Sequence, residues 1–133
     1  MAIILDSDVL IEGEKGNFDV ASWLASYPDE PVEIAAITVA ELLHGLERAA
    51  GGYGAMRERY LRTVLETFPI LPYTERTAYE HARIWAQAER SGKMIRFYDL
   101  IVAATALERG SHVATFNTRH FRQIPGLRVI EPA

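Results

Sequence analysis

Short aliphatic segments alternate with helical segments along this chain, and this alternation constrains its fold more than any other feature. The longer aliphatic segments run from Ala2 to Leu5, Val32 to Ile37, His112 to Phe116 and Leu127 to Ile130. Ile70 and Leu71, between two prolines, form a shorter connector or edge strand. Strands that alternate with helices make a parallel sheet with helices on both faces. The sequence therefore predicts an α/β fold, a three-layer sandwich whose central parallel sheet is flanked by helices.

Three helical segments refine this prediction. A helix from Thr38 to about Ala50 is stopped by glycines, and a helix from about Ala55 to Thr67 is expected to fold back beside it as a hairpin. Asp99 begins another helix whose body, Leu100 to Leu107, is apolar almost all round, so that this helix belongs in the interior. Trp85 lies at apolar helical spacing and is expected to be a core residue.

The composition is that of an ordinary globular protein. The chain has 133 residues, of which 49% are apolar, and this suits a single domain that spans residues 1–133. No apolar run approaches the roughly 18 residues of a membrane span, and the first residues resemble a strand rather than a leader. Cysteine is absent, which excludes disulfides and thiolate metal sites and fits a reducing compartment. A cytoplasmic protein without a membrane partner is expected.

The net charge argues weakly against nucleic acid as a partner. It is −4, from 14 basic and 18 acidic residues, whereas nucleic-acid binders usually carry a basic surplus that neutralises phosphates. A nuclease can still have this charge if its acids gather at a metal ion and its bases line the substrate groove.

Polar residues follow several of the predicted strands at the point where each strand ends. Asp6 follows the first strand, and Thr38 and Glu41 follow the second. Asn117 follows the strand that precedes it late in the chain. In open parallel sheets, ligands bind beyond the carboxyl ends of the strands. Since Asp99 begins the interior helix, its carboxylate can reach the same edge, and the sequence predicts that three carboxylates and one amide converge there.

Each of these residues also has a purely structural interpretation. Asp6, Asp99 and Asn117 are residue types that cap helix N-termini by accepting hydrogen bonds from free backbone N–H groups. Thr38 and Glu41 match a capping box, in which the glutamate folds back on the backbone of the threonine. Because capping does not require the three acids to meet, their meeting in space would separate the two interpretations.

A cluster of these three acids would need a cation. At an effective dielectric constant of about 20, two like charges about 5 Å apart repel by roughly 3 kcal/mol. Protons or a metal ion must relieve this repulsion. Oxygen donors favour hard ions, so Mg²⁺ or Mn²⁺ is expected before Ca²⁺. Such an ion can orient a water molecule, lower its pKa and stabilise charge on a phosphoryl group.

The sequence around these residues resembles the PIN-domain family, and within it the VapC-type toxin ribonucleases of type II toxin–antitoxin pairs. The matching segments span essentially the whole chain, and they are 4–11 (ILDSDVLI), 37–45 (ITVAELLHG), 99–107 (DLIVAATAL), 115–121 (TFNTRHF) and 124–127 (IPGL). The resemblance implies a PIN-like sandwich, cleavage of RNA that depends on Mg²⁺ or Mn²⁺, a homodimer, and a cognate antitoxin protein that inhibits the enzyme.

The resemblance also implies roles for individual residues. Asp6 and Asp99 would bind the metal most directly, and Glu41 would help to bind it or position the attacking water. Ser7 stands where the family often has a threonine or serine that supports the site. The antitoxin would occupy a groove formed in part by the helical hairpin 38–67.

Two positions depart from the family pattern. Asn117 stands where many PIN domains have a fourth acid; its amide oxygen can coordinate a metal or hold a water but adds no charge, so a second tightly bound ion is not expected. Asp8 stands where the family usually has asparagine. It is expected to cap the first helix, and the alternative is that it compensates for the missing acid.

Basic residues near the predicted site are candidates for RNA contacts. Arg119, His120 and Arg122 follow the late strand, and Lys93 and Arg96 precede the interior helix. These residues would meet RNA phosphates near the metal. The alternative is a solvated basic face without a substrate role.

Two other functions remain open at this point. A haloacid-dehalogenase-like phosphatase would use Asp6 as nucleophile and Asp8 as general acid. That family needs a late strand that ends in acidic Mg²⁺ ligands, and here the strand ends in Thr115-Phe116-Asn117. The other function is a catalytically inactive PIN module that binds RNA or a partner, its chemistry lost through Asn117. The other three acids argue against it.

Overall fold

The computed structural model of the protein describes residues 1–49 and 52–133, so the predicted helix end near Ala50 and Gly51 lies outside the described residues. In chain order the elements are β1 (Ile3–Leu5), α1 (Ser7–Glu14), α2 (Val20–Leu24), β2 (Val32–Ala35), α3 (Ala36–Glu47), α4 (Tyr53–Thr67), β3 (Ile70–Leu71), α5 (Glu75–Arg90), α6 (Phe97–Arg109), β4 (His112–Ala114), α7 (Thr118–Phe121) and β5 (Arg128–Ile130). None of the described helices is both long enough and apolar enough to cross a membrane.

The five strands form one parallel sheet in the order β3-β2-β1-β4-β5. Ile3, Ile4 and Leu5 of the central strand are wholly buried because helices cover both faces of the sheet. Ile4 faces a core shared with α5 and α6, whereas Ile3 and Leu5 face a core shared with α1, α2 and α4. The predicted α/β sandwich is therefore confirmed.

The helix predicted for the interior is α6, and every residue from Asp99 to Ala106 is buried. Its one buried hydroxyl group is satisfied locally, since Thr105 Oγ1 donates to the Ile101 carbonyl at 2.8 Å. The helix ends at Gly110, whose φ of 66° is a left-handed conformation that favours glycine. This turn returns the chain into β4, directly beside β1.

Two strands end earlier than the sequence predicted. β2 ends at Ala35 and β4 at Ala114, each two residues short of the expected boundary. The segment 34–37 is apolar throughout, and an apolar run does not by itself show where a strand gives way to a helix. As a result α3 begins at Ala36, and Thr38 lies inside its first turn.

The position of Trp85 was also predicted wrongly. Its side chain is 45% exposed, because α5 packs against the interior through Thr77, His81, Ile84 and Ala88 instead. The Trp85 ring stacks on His81 at 5.5 Å and lies 5.8 Å from the Phe97 ring, measured between centroids. Trp85 and Phe97 are therefore neighbouring aromatic side chains at the surface, and Phe97 lies close to Asp99 in the sequence.

Candidate active site

Asp6 lies where the central strand β1 passes into α1. Its side chain is 5% exposed and caps α1, since Oδ1 accepts a hydrogen bond from the Ser7 backbone N–H at 2.9 Å. The other oxygen, Oδ2, accepts a hydrogen bond from the Thr115 hydroxyl at 2.8 Å, just beyond β4. Asp6 therefore caps a helix and also joins the carboxyl ends of two neighbouring strands.

The carboxyl group of Asp6 keeps its proton to an unusually high pH. The pKa of Asp6 is raised from 3.8 to about 7, chiefly by burial and also by the charges of Asp8 and Asp99, while the hydrogen bonds from Thr115 and Ser7 act in the opposite direction. Like charges have this effect only at short range. The Thr115 hydroxyl, which lies 2.8 Å from Asp6 Oδ2 and 3.2 Å from Asp8 Oδ2, links these two acids.

Glu41 belongs to the same cluster. It lies on the second turn of α3 and accepts a hydrogen bond from the Ser7 hydroxyl at 3.3 Å. Burial raises the pKa of Glu41, and the charges of Asp99 and Asp8 raise it as well. The Arg96 guanidinium and the hydrogen bond from Ser7 lower it. The predicted capping box of Thr38 and Glu41 is wrong, because the N-cap of α3 is Ala35 and no side chain caps it.

Asp99 brings the third carboxylate to the cluster from the first turn of α6. Its side chain is 4% exposed, and within residues 1–49 and 52–133 its buried Oδ2 has no hydrogen-bond partner. Burial raises the pKa of Asp99, while Arg96 and His120 oppose the rise. His120 Nδ1 lies 3.7 Å from Asp99 Oδ2, beyond hydrogen-bond distance. A buried carboxylate oxygen without a partner is costly, which marks this atom as a candidate ligand for a cation.

Asn117 stands slightly apart from the three acids. It precedes α7 as its N-cap residue, but its side chain makes no capping bond. Its Nδ2 lies 3.1 Å from His120 Nδ1 instead. The Asn117 amide therefore contacts His120, and His120 in turn lies near Asp99. The sequence had predicted that the amide would converge directly with the three acids.

Asp8 does not cap the first helix as predicted. Its Oδ2 accepts hydrogen bonds from the backbone N–H groups of Phe116 and Asn117, both at 3.1 Å. Asp8 therefore fastens the start of α1 to the segment that follows β4. The local sequence offered capping as the simplest role for an acid at this position, and the true partners lie more than 100 residues away.

Thr115 is a site residue that the sequence interpretation missed. It is fully buried, donates to Asp6 and accepts a hydrogen bond from the Asn117 backbone N–H at 2.9 Å. Its hydroxyl also lies 3.2 Å from Asp8 Oδ2. The available signal was its position as the first polar residue after β4, and the strand boundary predicted at Phe116 concealed it.

The basic residues fall into two groups. The charge of Arg96 acts on both Glu41 and Asp99, so this side chain lies near the acid cluster. Arg119 and Arg122 are exposed on and after α7, and Lys93 Nζ lies 3.4 Å from the Gln123 carbonyl. Arg96 is therefore the basic side chain most closely tied to the carboxylates.

The cluster fits a divalent cation by its chemistry. Asp6, Glu41 and Asp99 offer only oxygen donors, which suit hard ions. In the part of the chain that the structure describes, no three His, Asp or Glu side chains are arranged to hold an ion as they stand. A cation would nevertheless satisfy Asp99 Oδ2 and replace the proton that Asp6 keeps, which makes the cluster a candidate metal site.

Two separate cavities border the acid cluster. One, here called the helical groove, has a volume of about 190 Å³ and is lined by α1, α3 and α4, with Glu41, Leu42, Gly45 and Leu46 from α3. The other, here called the Asn17 cleft, has a volume of about 580 Å³ and is lined by Asp8, Glu12, Asn17, Phe18, Phe116 and Asn117. The two cavities share no residue.

Several known proteins are similar to this chain. The sequence pattern described as PIN domain matches residues 3–127. The VapC ribonuclease Y4jK of Sinorhizobium fredii is 35% identical over 136 residues, which covers 98% of this chain and 96% of that relative. The structure of VapBC2 from Rickettsia felis, bound to a DNA fragment from its promoter, has a TM-score of 0.92 at 19% identity and covers 100% of both chains. VapBC-5 of Mycobacterium tuberculosis, from the VapBC family of toxin–antitoxin systems, has a TM-score of 0.79 at 28% identity and covers 98% of this chain and 99% of that chain.

Proposed function

The chain belongs to the PIN-domain family of VapC-type ribonucleases, and from this premise we propose that it cleaves RNA with a divalent ion, Mg²⁺ or Mn²⁺, held by Asp6, Glu41 and Asp99. Ribonucleases of this type are metal-dependent, and the identity of the ion is part of the proposal. The observation that carries the assignment is the unpaired buried oxygen of Asp99 beside an Asp6 carboxyl group that keeps its proton to about pH 7.

The three acids would have different tasks. Asp6 and Asp99, the most deeply buried, would hold the ion most directly, and Asp6 would release its proton as the ion binds. When bound, the ion supplies Lewis-acid stabilisation of the phosphoryl oxygens and lowers the pKa of a water molecule. The Ser7 hydroxyl holds Glu41 Oε2, which leaves Glu41 Oε1 to orient the attacking water and accept its proton.

The remaining polar residues would position the substrate. Asn117 holds His120 beside Asp99, where the imidazole can donate a hydrogen bond to a non-bridging phosphate oxygen. Arg96 and Arg119 would contact RNA phosphates on either side of the cut bond. Concentrating these bases at one edge would let a chain of net charge −4 bind RNA.

Removal of divalent ions is expected to stop RNA cleavage, and added Mg²⁺ or Mn²⁺ is expected to restore it. The physical reason is that three carboxylates cannot by themselves stabilise the negative charge that builds up on a phosphodiester. The measurement is cleavage of end-labelled single-stranded RNA by purified protein in EDTA, and then with each ion in excess.

The same assay separates the other two functions. RNA that is bound but stays intact with both ions would indicate an inactive module. Hydrolysis of p-nitrophenyl phosphate with a phosphorylated Asp6 would indicate a phosphatase. The structure argues against the phosphatase, because the Asp8 carboxylate is already engaged by two backbone N–H groups and is not free to act as general acid.

We assign the cognate antitoxin to the helical groove. The groove includes Glu41, so a peptide lying in it would touch the proposed metal site directly. Its other lining residues include Leu10, Leu42 and Leu46, which suit the apolar side of an inserted helix or strand. Inhibition would follow from contact with Glu41 or from exclusion of RNA.

Gly45→Phe is expected to weaken antitoxin binding at least tenfold while RNA cleavage continues. Within residues 1–49 and 52–133, a Cβ atom at Gly45 meets no atom within 4 Å, so the new ring is expected to project into the groove without disturbing the fold. Gly54→Phe on α4 is the matched control, because its Cβ is equally unhindered and it does not line the groove. The measurement is inhibition of cleavage by the protein encoded beside this chain. Equal inhibition of both variants would place the antitoxin elsewhere.

We further propose a homodimer that forms through the exposed aromatic surface. Met94 is 91% exposed and Phe97 is 53% exposed, next to the half-exposed ring of Trp85. A contiguous apolar surface of this kind is typical of an interface between proteins. Sedimentation of the protein as a monomer would contradict this assignment.

Residues 1–133 are proposed to act as one nuclease domain in the cytoplasm. All the proposed catalytic residues come from one sheet edge, so a single domain suffices for the chemistry. The RNA substrate would be met in the cytoplasm. Fractionation of cells that express the tagged protein is the measurement, and recovery outside the cytoplasmic fraction would contradict the proposal.

A further inference from the structure

The Asn17 cleft borders the acid cluster on the side away from the helical groove. It touches the cluster through Asp8 and Asn117 and extends outward over the end of α1. Both asparagines of the chain, Asn17 and Asn117, line it. A nucleotide whose phosphate sits at the acid cluster would therefore have this cleft within reach of its base.

Two aromatic rings form one wall of the cleft. The rings of Phe18 and Phe116 meet edge to face, with centroids 5.3 Å apart and an interplanar angle of 86°. Both side chains are partly buried, and the Phe116 backbone is fixed by its N–H bond to Asp8. Gly16, with a φ of 78°, makes the turn that places Phe18 beside the end of α1. A partly exposed, fixed aromatic wall suits the flat face of a base.

The polar groups of the cleft are mainly hydrogen-bond acceptors. Glu12 Oε2 accepts a hydrogen bond from Asn17 Nδ2 at 2.8 Å, and Asn17 Oδ1 and Glu12 Oε1 are further acceptor atoms of the cleft. The carboxylates of Glu12 and Asp8 make the cleft negative, with Lys15 Nζ 3.9 Å from Glu12. Such a site repels a phosphate group and attracts N–H donors.

We propose that the Asn17 cleft binds the base of a nucleotide that adjoins the cut phosphodiester, and that it prefers bases with an amino group over uracil. Adenine, cytosine and guanine each present an exocyclic NH₂ to the acceptors Glu12 and Asn17, and carboxylates accept from such groups in base recognition. Uracil has carbonyl oxygens on both sides of its single N–H group, and these would face the negative charge of Glu12. The inference rests on the proposed function, since it concerns the substrate of the same site.

The first test uses RNA cleavage. A pool of single-stranded RNA with random sequence is cut by the parent protein and by Glu12→Gln, and the cut ends are sequenced. We expect the parent to disfavour uracil roughly tenfold at one nucleotide next to the cut, and Glu12→Gln to lose most of this preference. Glu66→Gln is the control, since Glu66 is an exposed glutamate on α4 that lines neither the Asn17 cleft nor the helical groove. Absence of a preference in the parent, or its persistence in Glu12→Gln, would overturn the inference.

The second test does not depend on cleavage. Cytidine or uridine is added to the parent protein, and the side-chain amide signals are followed by NMR. Cytidine is expected to shift the signals of Asn17 and Asn117 more than uridine does, while the signals of Gln87 and Gln123, which lie outside the cleft, stay in place. Shifts caused by the antitoxin but by neither nucleoside would assign the cleft to a protein partner and overturn the inference.

The two tests separate this inference from the proposed function. RNA that stays intact with either ion, together with shifts caused by cytidine, would contradict the proposed function and support base binding. RNA that is cut without base preference, together with unshifted asparagine signals, would contradict the inference and leave the proposed function standing.

Discussion

Asp99→Asn is expected to lower the rate of RNA cleavage by on the order of a thousand-fold while the fold survives. Asn has the shape of Asp but lacks the charge that a divalent ion requires. Asp99 Oδ2 has no hydrogen-bond partner among the residues that the structure describes, so the substitution breaks none of the described bonds at that atom. His120 Nδ1, at 3.7 Å, is close enough to pair with the new amide after a small movement.

The measurement is the single-turnover rate of cleavage with Mn²⁺ or Mg²⁺ in excess, beside a circular dichroism spectrum. Asp19→Asn is the matched control, because Asp19 is also an aspartate at the start of a helix but is exposed and bonded to the nearby Ser22. Full activity in Asp99→Asn would remove the central assignment. Loss of activity in Asp19→Asn would show that the effect is not specific to the cluster.

The metal-free protein is expected to lose stability as the pH rises from about 4 to about 7, and Asp6→Asn is expected to remove the part of that loss that comes from Asp6. In the folded protein Asp6 has a pKa of about 7, against 3.8 for the unperturbed group. Between these values the folded state holds a proton that the unfolded chain has released, so the free energy of unfolding falls with rising pH. The loss is on the order of 4 kcal/mol for this shift.

The measurement is thermal unfolding in EDTA at pH 5 and pH 8. At pH 8 we expect the neutral side chain of Asp6→Asn to raise the midpoint by several degrees relative to the parent. Asn Oδ1 can still accept the N–H of Ser7, so the cap of α1 is kept. Mn²⁺ is expected to stabilise the parent but not the variant. Parallel pH curves for the two proteins would contradict the assigned pKa of Asp6.

The residues at the carboxyl edge of the sheet could be predicted from the sequence, because the direction of parallel strands determines where their ends lie. Parallel strands bring their carboxyl ends to one edge, so Asp6 and Glu41 could be placed together from strand order alone. The interior position of α6 followed from its apolar body and brought Asp99 to the same place. In these cases a local pattern and a general rule of the fold were enough.

The remaining parts of the site depend on contacts between distant segments. Asp8 and Thr115 lie 107 residues apart and meet only because β1 pairs with β4, a pairing that local patterns do not reveal. Trp85 has the spacing of a core residue, but the adjacent Ile84 and His81 occupy the interface with α6. The direction of a side chain at the edge of a helix face depends on a partner helix that the periodicity cannot identify.

Glu41 belongs both to the acid cluster and to the helical groove. This restricts which substitutions could make the enzyme resistant to its inhibitor. On the proposed roles, a substitution at Glu41 that repels the antitoxin also removes a side chain that helps to cut RNA, so selection for resistance has nothing to gain there. Variants that stay toxic in the presence of the inhibitor should arise instead at groove positions without a proposed catalytic role, such as Gly45 and Leu46.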